Sequence, residues 1–341
     1  MQLLYLEEMR AGKNLLAFSG GVDSSALFFL LLEADIAFDM AIVDYGVRPE
    51  SKDEIAYAKA LSVQYHKRLF VHTAPKIATN FEHTARNVRY DFFAKVCREY
   101  HYKNVLMAHQ LDDRLEWFLM QLCKGSGILG LNGLQGISQR REFCILRPLI
   151  ETTRKDLYVY LHTHRHTYFE DSSNANTHFM RNFFRHNVAR TLIAEFASGV
   201  ARTFRILEQE SEGIVAQPYE VLANLFVVKR LAMPHNEALY ECYGVDLALK
   251  KLGYVMSAKQ RQEIIRSYFS CHIAQNYVID SNMDYVFITK RDSVATIPKC
   301  YKEQYRLARI PAKIRPILFQ NGIIDSQLQA FVQNLDIAKD K

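Results

Sequence analysis

Short apolar runs alternate with stretches of helical spacing along the N-terminal part of the chain. The runs at residues 15–18, 40–44, 69–72 and 104–109 predict strands, and residues 24–31, 52–65, 84–100 and 112–122 predict helices. Each strand is an almost continuous apolar run, which is typical of a parallel sheet covered by helices on both faces. We therefore predict an α/β fold with a doubly wound parallel sheet.

The pattern changes in the C-terminal part of the chain. Residues 179–196 predict a basic amphipathic helix, and residues 202–212, 219–232, 237–252 and 259–268 have helical spacing. Residues 277–279, 285–289 and 294–297 predict short strands, followed by helices at residues 300–310 and 323–335. We expect an α/β domain over residues 1–198, a linker helix and a helical domain over residues 199–275, and a small segment with short strands over residues 276–341.

Composition narrows the class of protein. The chain has 341 residues, of which 49% are hydrophobic, enough for a globular interior, and a formal net charge of +6 that is compatible with a nucleic-acid partner. The six cysteines form no Cys-x-x-Cys pair, which argues against a zinc ribbon, an iron–sulfur site or a disulfide framework. The sequence has neither a signal-peptide pattern nor an apolar run long enough for a bilayer. We expect a soluble cytoplasmic protein without a membrane partner.

Polar residues end the predicted strands, where a parallel sheet binds its ligands. After the first strand comes Ser19-Gly-Gly-Val-Asp-Ser24, which leads directly into a helix. A glycine turn at a helix N terminus suits phosphate, and Asp23 could hold a metal ion that bridges phosphates. The turn is not a Walker loop, because no Gly-Lys-Ser/Thr follows. The alternative is an ordinary glycine turn capped by Asp23 and a serine.

A second group of polar residues follows the fourth strand. Asp113 and Glu116 are three residues apart and share one helix face, which could hold Mg²⁺ or the ammonium group of a small substrate. His109 at the strand end could contact phosphate or transfer a proton. The alternatives are acidic residues favoured by the helix dipole and a packed histidine.

The pyrophosphate loop of the N-type ATP pyrophosphatases resembles Ser19 to Ser24, and a longer resemblance covers roughly the first two hundred residues. Motifs in this part of the chain resemble, in order, those of the tRNA(Ile)-lysidine synthetase family. They occupy residues 19–24, 43–51, 85–93, 108–116, 124–127 with 130–131, 147–149, 170–174 and 180–185. The last two, Glu-Asp-x-x-Asn and Arg-Asn-x-x-Arg, are the narrowest. The chain departs from the family pattern at Tyr45, Gln110, Arg114, Trp117 and Lys124, which bears on fine geometry and specificity more than on reaction type.

The resemblance implies an adenine nucleotide alpha-hydrolase-like catalytic domain and a ligase that acts on isoleucine tRNA with a CAU anticodon. ATP adenylates the carbonyl oxygen of the wobble cytosine, and the ε-amine of free L-lysine then displaces AMP to leave lysidine. The implied cofactors are ATP and Mg²⁺, and the resemblance leaves a homodimer open.

The resemblance also implies roles for individual residues. Those for ATP are Ser19, Gly20, Gly21, Val22, Asp23 and Ser24, with Mg²⁺ on Asp23 and Asp113. Those for lysine are Asp44, Asp113 and Glu116 for its backbone ammonium, with Arg86 or Arg114 for its carboxylate. His109 is the candidate for proton transfer, beside Asp23 and Asp113 as catalytic residues. Arg181, Asn182 and Arg185 are the candidates for tRNA binding, and the helical domain over residues 199–275 is expected to bind tRNA as well.

Three other functions are weighed against this one. An AMP-forming tRNA thiolation enzyme, of the 2-thiocytidine or 4-thiouridine type, would need paired reactive cysteines, which the chain lacks. An NAD or GMP synthetase would leave the Arg-Asn-x-x-Arg helix unexplained. A catalytically inactive tRNA-binding module would have no reason to gather carboxylates near RNA phosphates.

Overall fold

The computed structural model describes residues 1–46, 51–75, 77, 81–170, 180–214, 217–230, 237–291 and 296–337. The chain forms two compact units, Met1–Glu208 and Gln209–Lys341. The sequence pattern predicts boundaries at residues 198 and 275 instead. A helix, Arg190–Ile214, continues through the first of these positions, with a local departure from helical geometry at Phe196.

The elements of the first unit alternate between strands and helices. Its strands are β1 (Asn14–Ala17), β2 (Phe38–Asp44), β3 (Leu69–Thr73), β4 (Asn104–Leu106), β5 (Ile137–Gln139) and β6 (Cys144–Leu146). Its helices are α1 (Leu6–Ala11), α2 (Val22–Glu33), α3 (Ser51–Gln64), α4 (Phe81–Tyr100), α5 (Leu111–Cys123), α6 (Ile128–Leu131), α7 (Arg154–Thr163) and α8 (Met180–Phe184). One π-helical turn (Arg185–Ala189) joins α8 to α9 (Arg190–Ile214).

The six strands of this unit form one sheet in the order β3-β2-β1-β4-β6-β5. All neighbours are parallel except β5, which pairs antiparallel with β6. The chain runs from β1 outward to β3 and returns to the other side of β1 at β4, so the strand order reverses between β1 and β4. In open α/β sheets, ligands bind outside the carboxyl ends of the strands at such a reversal.

Helices cover both faces of this sheet, as the continuous apolar strands predict. Side chains of α2 and α7 pack on one face with Leu16 and Met40, and side chains of α4 pack on the other with Leu15 and Val105. The predicted doubly wound α/β fold is confirmed, and the four predicted strands correspond to β1 through β4. The short elements α1 and β5 are not predicted.

The second unit is built on an antiparallel sheet. Its strands are β7 (Tyr219–Leu222), β8 (Leu225–Lys229), β9 (Cys271–Ile273), β10 (Tyr277–Ser281) and β11 (Tyr285–Lys290), in the order β7-β8-β11-β10-β9. Its helices are α10 (Glu237–Lys251), α11 (Ala258–Arg266), α12 (Lys299–Leu307), α13 (Arg315–Gln320) and α14 (Asp325–Ile337). Helices α10 and α11 pack on one face of the sheet and α12 to α14 on the other.

The helix predicted at residues 219–232 is wrong, because β7 and β8 form a hairpin there. Strand β8 pairs with β11, so the segments that the sequence analysis separates at residue 275 share one sheet. Of the strand predicted at residues 294–297, residues 294 and 295 lie outside the described residues. Across the described ranges, every helix falls short of the length and apolarity that a bilayer span would need.

Candidate active site

The loop after β1 turns at Gly20 and leads into α2. Gly20 has a φ of 77°, in the left-handed region that favours glycine. Its carbonyl accepts a hydrogen bond of 2.9 Å from the backbone N–H of Phe169. The segment that follows α7 is therefore tied to this turn.

Serine hydroxyls make the inner hydrogen bonds of the loop. The hydroxyls of Ser19 and Ser24 lie 3.0 Å apart, and that of Ser24 donates to the Gly21 carbonyl over 3.2 Å. Among the described residues, no side chain caps the N terminus of α2. The N–H groups of its first turn and the positive end of its dipole are therefore directed at the loop, as in phosphate-binding helix N termini.

Asp23 lies in this first turn of α2. Its Oδ1 is buried and accepts no hydrogen bond within the described part of the chain. Burial, followed by the negative charge of Asp113, raises the pKa of Asp23 to about 7. Val22 beside it packs into the core, so only its backbone can face a phosphate.

Asp113 is fixed at the start of α5 by Gln110. The side-chain oxygen of Gln110 accepts from the N–H groups of Asp112 (2.5 Å) and Asp113 (3.4 Å). In return, the Asp113 carboxylate accepts from the Gln110 N–H over 3.3 Å, which completes a capping box. One departure from the family pattern, Gln110, therefore orients a candidate catalytic carboxylate.

Two arginines neutralise Asp113 and Glu116, both of which are buried. Arg181 donates to Asp113 over 2.5 Å and to Glu116 over 2.8 Å. Arg185 donates to Glu116 over 2.6 Å and lies 3.8 Å from Asp113. Burial would raise the pKa of Asp113, but the opposing positive charges, above all that of Arg181, lower it. The two arginines are four residues apart, so one helical face carries both toward α5.

His109 ends the stretch after β4 and contacts a buried arginine. The Nε of Arg147 donates to the Nδ1 of His109 over 3.2 Å, and Arg147 also donates to the Gln135 carbonyl and the Ser138 hydroxyl. Burial, followed by the charge of Arg147, lowers the pKa of His109 to about 3. The imidazole is therefore neutral, with its proton on Nε2.

A cleft of about 740 Å³ opens beside this cluster. Its lining includes Asp112, Arg154, Tyr158, Glu170, Arg185 and Arg190. The backbone N–H of Arg154, the first residue of α7, donates to the Asp112 carboxylate over 3.0 Å. Arg154 has no role predicted from the sequence, because an arginine at the start of a helix carries no signal of its own.

Two candidates for lysine lie at the same edge of the sheet. Asp44 ends β2, the neighbour of β1, and its carboxylate accepts from the Gly46 N–H over 2.8 Å. The guanidinium of Arg86 lies 5.0 Å from the centre of the Tyr90 ring, and its charge acts on Arg147.

Other candidates are engaged elsewhere. Arg114 is buried and donates to Glu208 over 2.5 Å, so it is not available for a substrate carboxylate. Asn182 is also buried. Trp117, another departure from the family pattern, donates to the Gly130 carbonyl over 3.0 Å and so fixes the segment that contains Gly130. Residues 47–50 and 171–174 of the motifs lie outside the described residues.

The fold and the loop define the class: residues 2–192 match the family model for the PP-loop domain. The particular family follows from curated relatives named tRNA(Ile)-lysidine synthase. The relative from Wolinella succinogenes is 42% identical over 95% of this chain and 98% of its own, and that from Helicobacter pylori 41% over 92% of each. The relative from Campylobacter jejuni is 35% identical over 94% of this chain and 96% of its own. The chain belongs to the tRNA(Ile)-lysidine synthase family, which confirms the resemblance read from its motifs.

A solved structure agrees with the fold. It is the U34-tRNA thiolase NcsA from Methanococcus maripaludis, with a TM-score of 0.51 over 60% of this chain and 73% of that chain. At 17% sequence identity, the likeness extends to the fold alone.

Proposed function

We propose that this protein is an ATP-dependent ligase that converts the wobble cytidine of isoleucine tRNA with a CAU anticodon to lysidine. Relatives that align with 92–95% of the chain and are named tRNA(Ile)-lysidine synthase support this activity. The observation that carries the proposal is a group of carboxylates, Asp23, Asp113 and Glu116, beside a phosphate-binding turn.

The thiolation alternative finds no support in the cysteines. All six are free thiols, and burial raises the pKa of Cys97 and Cys242 to about 12. A thiol with so high a pKa is a poor nucleophile at neutral pH.

The first half-reaction transfers AMP to the cytosine and releases pyrophosphate. The N–H groups of the turn after β1 and of the α2 N terminus would hold the phosphoryl oxygens while negative charge builds on the leaving group. Ser19 and Ser24 add hydroxyl donors at the same turn. Gly20 allows the backbone to adopt the conformation that presents these groups.

Mg²⁺ fits the residues at this turn. Asp23 has a buried Oδ1 without a partner among the described residues, and the Asp113 charge reaches it. No three His, Cys, Asp or Glu side chains form a metal site within the described ranges. Two carboxylates completed by phosphate oxygens are a usual setting for Mg²⁺, which when bound would offset the charge on the phosphates.

The second half-reaction needs lysine beside the adenylated base. We assign the backbone ammonium of lysine to Asp44, Asp113 and Glu116, and its carboxylate to Arg86. Because Arg181 and Arg185 pair with Asp113 and Glu116, lysine binding requires an arginine to move. Arg181 is better placed to move, since 39% of its side chain is exposed against 11% for Arg185. Once released, Arg181 can bind an RNA phosphate, as the sequence predicts.

The attacking amine, with an ordinary pKa of about 10.4, must lose a proton. His109 is poorly suited to take it, because its pKa is about 3 and its Nδ1 already accepts from Arg147. We assign His109 a donor role through Nε2, toward phosphate or the cytosine. A carboxylate, Asp113 or Glu116, then remains as the proton acceptor.

The test is incubation of the protein with ATP, Mg²⁺, labelled lysine and isoleucine tRNA with a CAU anticodon. We expect label in the RNA together with AMP and pyrophosphate. The same tRNA with uridine in place of the wobble cytidine is the control and should stay unlabelled. Unlabelled CAU tRNA in the presence of folded protein would reject the proposal.

A variant separates chemistry from binding. Asp23→Ala should abolish pyrophosphate release while tRNA binding persists. Equal loss of both would give Asp23 a structural role instead.

A further inference from the structure

The sequence motifs leave Arg154 without a role, yet its side chain lies in the cleft beside the phosphate-binding turn. We propose that Arg154 binds phosphoryl oxygens of the nucleotide's polyphosphate, and hence of the pyrophosphate leaving group, as a further substrate-binding residue. This inference rests on the proposed function, since it concerns the same ATP-using site.

The guanidinium of Arg154 has unused hydrogen-bonding capacity. Its Nε is buried and finds no acceptor among the residues that the structure describes. A buried donor without a partner costs free energy, which an anionic ligand would recover. The backbone of Arg154 is fixed by its hydrogen bond to Asp112, and the guanidinium lies 5.8 Å from the centre of the Tyr158 ring. The donor is therefore held in place before the ligand arrives.

The carboxylate of Asp23, in the first turn of α2, acts electrostatically on Arg154. Burial would lower the pKa of Arg154, but the negative charges around it, that of Asp23 first, raise it above its ordinary value. Asp113 and Glu116 act on it in the same direction. The carboxylates proposed for Mg²⁺ and lysine are therefore among the charges that act on Arg154.

A backbone hydrogen bond next to the lining of the cleft connects it with the turn. Phe169 bonds to the Gly20 carbonyl, and Glu170, the next residue, lines the cleft. The volume of about 740 Å³ is within the range of small-molecule sites. Arg154 lines the same cleft as Glu170.

The position of Arg154 favours the nucleotide over the RNA backbone as the source of phosphate. The other cations of the cleft include Lys155 and Arg190, which are exposed at its rim, where RNA could reach them. Arg154, in contrast, is half-buried, and its Nε finds no acceptor among the described residues. Planar guanidinium groups suit bidentate contact with phosphate.

The experiment measures the binding of inorganic pyrophosphate and of ATP, both with Mg²⁺, and separately the binding of tRNA. In Arg154→Gln we expect pyrophosphate and ATP to bind at least about tenfold more weakly, as for the loss of a hydrogen bond to a charged group, with tRNA affinity within about twofold. Lys155→Gln is the matched control, since it removes one positive charge from the same cleft. It should change pyrophosphate affinity by less than about twofold. Arg154→Lys should recover part of the loss, because it keeps the charge but not the planar fork.

Each other outcome is informative. If wild-type protein binds pyrophosphate and Arg154→Gln binds it equally well, the inference about Arg154 is overturned and the proposed function stands. If Arg154→Gln loses tRNA affinity but keeps pyrophosphate, the phosphate comes from RNA and the inference is likewise overturned. Failure of wild-type protein to bind ATP at all would remove the proposed function itself. If Arg154→Gln does not fold, Arg154→Lys tests the inference, since it should bind pyrophosphate more weakly than the wild type does.

Discussion

The Nε of Arg147 lies 3.2 Å from the Nδ1 of His109, and this contact determines the tautomer of the imidazole. An acceptor role for Nδ1 leaves the proton on Nε2, and the neighbouring positive charge opposes a second proton. The residue that the sequence marks for proton transfer is therefore prepared as a hydrogen-bond donor.

Arg147→Met should raise the pKa of His109. Burial is the larger cause and the charge of Arg147 the second, so we expect a rise only part of the way from about 3 toward the ordinary value of about 6.5. An NMR titration of the His109 ring measures the change. Arg141→Met, at an exposed arginine, is the control and should leave the titration unchanged. An unaltered His109 titration in Arg147→Met would contradict the pairing.

Asp23 should make the stability of the Mg²⁺-free protein fall as the pH rises. Its pKa is raised to about 7 from an ordinary 3.8, so the native state keeps a proton that the unfolded state releases. The contribution is fully present below about pH 3.8 and is lost as the pH rises through about 7. At pH 8, Asp23→Asn should increase the free energy of unfolding by at most on the order of 4 kcal/mol.

Urea denaturation of both proteins at pH 5 and pH 8 measures this effect. His109 makes the free energy of unfolding change with pH in the opposite direction, since its lowered pKa costs stability as the pH falls below about 6.5. Asp23→Asn keeps this contribution of His109. Mg²⁺ should stabilise the wild type and not Asp23→Asn. Equal stability of the two proteins at pH 8 without Mg²⁺ would argue against the raised pKa.

Arg185→Met should destabilise the protein more than Arg181→Met. Arg185 is nearly buried and makes the 2.6 Å contact with the buried Glu116, so its loss leaves a buried charge poorly paired and should cost about 3 kcal/mol. Arg181 is more exposed, and its loss should cost about 1 kcal/mol. Urea denaturation distinguishes the two. Similar losses in both variants would contradict this ranking.

The variants Arg181→Met and Arg185→Met should also differ in their affinity for tRNA. Arg181→Met should weaken tRNA binding and reduce the slope of log affinity against log salt by about 1, as for one lost phosphate contact. A filter-binding salt series measures the slope. An unchanged slope would show that Arg181 makes no contact with an RNA phosphate.

Arg114→Gln should destabilise this chain by about 3 kcal/mol, because Glu208 would lose its 2.5 Å partner. The effect should shrink in the double variant Arg114→Gln with Glu208→Gln, since both charges are then absent. Arg205→Gln, in the exposed pair with Glu151, is the control and should leave the unfolding midpoint unchanged. Additive single-variant effects would show that the Arg114–Glu208 contact contributes nothing.

Much of the first unit follows from its sequence, because its buried strands are continuous apolar runs and its loop has a distinctive composition. The second unit was harder for a physical reason. Strand β8 sends Leu225 and Val227 to one face of the sheet and Phe226 and Val228 to the other, and all four are buried. An apolar run without alternation cannot be told from a buried helix by its period. The overlooked signal is Asn224, which turns the hairpin with a φ of 64°.

The candidate site shows the same limit. The carboxylates and the turn are visible as residue types at suitable spacing. The arginine pairing at Asp113 and Glu116 joins residues 65 to 69 positions apart, which no local pattern reports. In the sequence, Gln110 appears only as a departure from the family pattern, whereas its function as a helix cap depends on the backbone geometry around it.

The π-helical turn at Arg185–Ala189 has a consequence for how this region can change during evolution. Such a turn holds one residue more than an α-helical turn, so the helix continues beyond it with its faces nearly unchanged. Arg190 lines the cleft, and Ile193 belongs to the apolar cluster of Leu115. We expect descendants of this sequence that lose one residue here to close the turn to α-helical geometry and to keep both side chains in place.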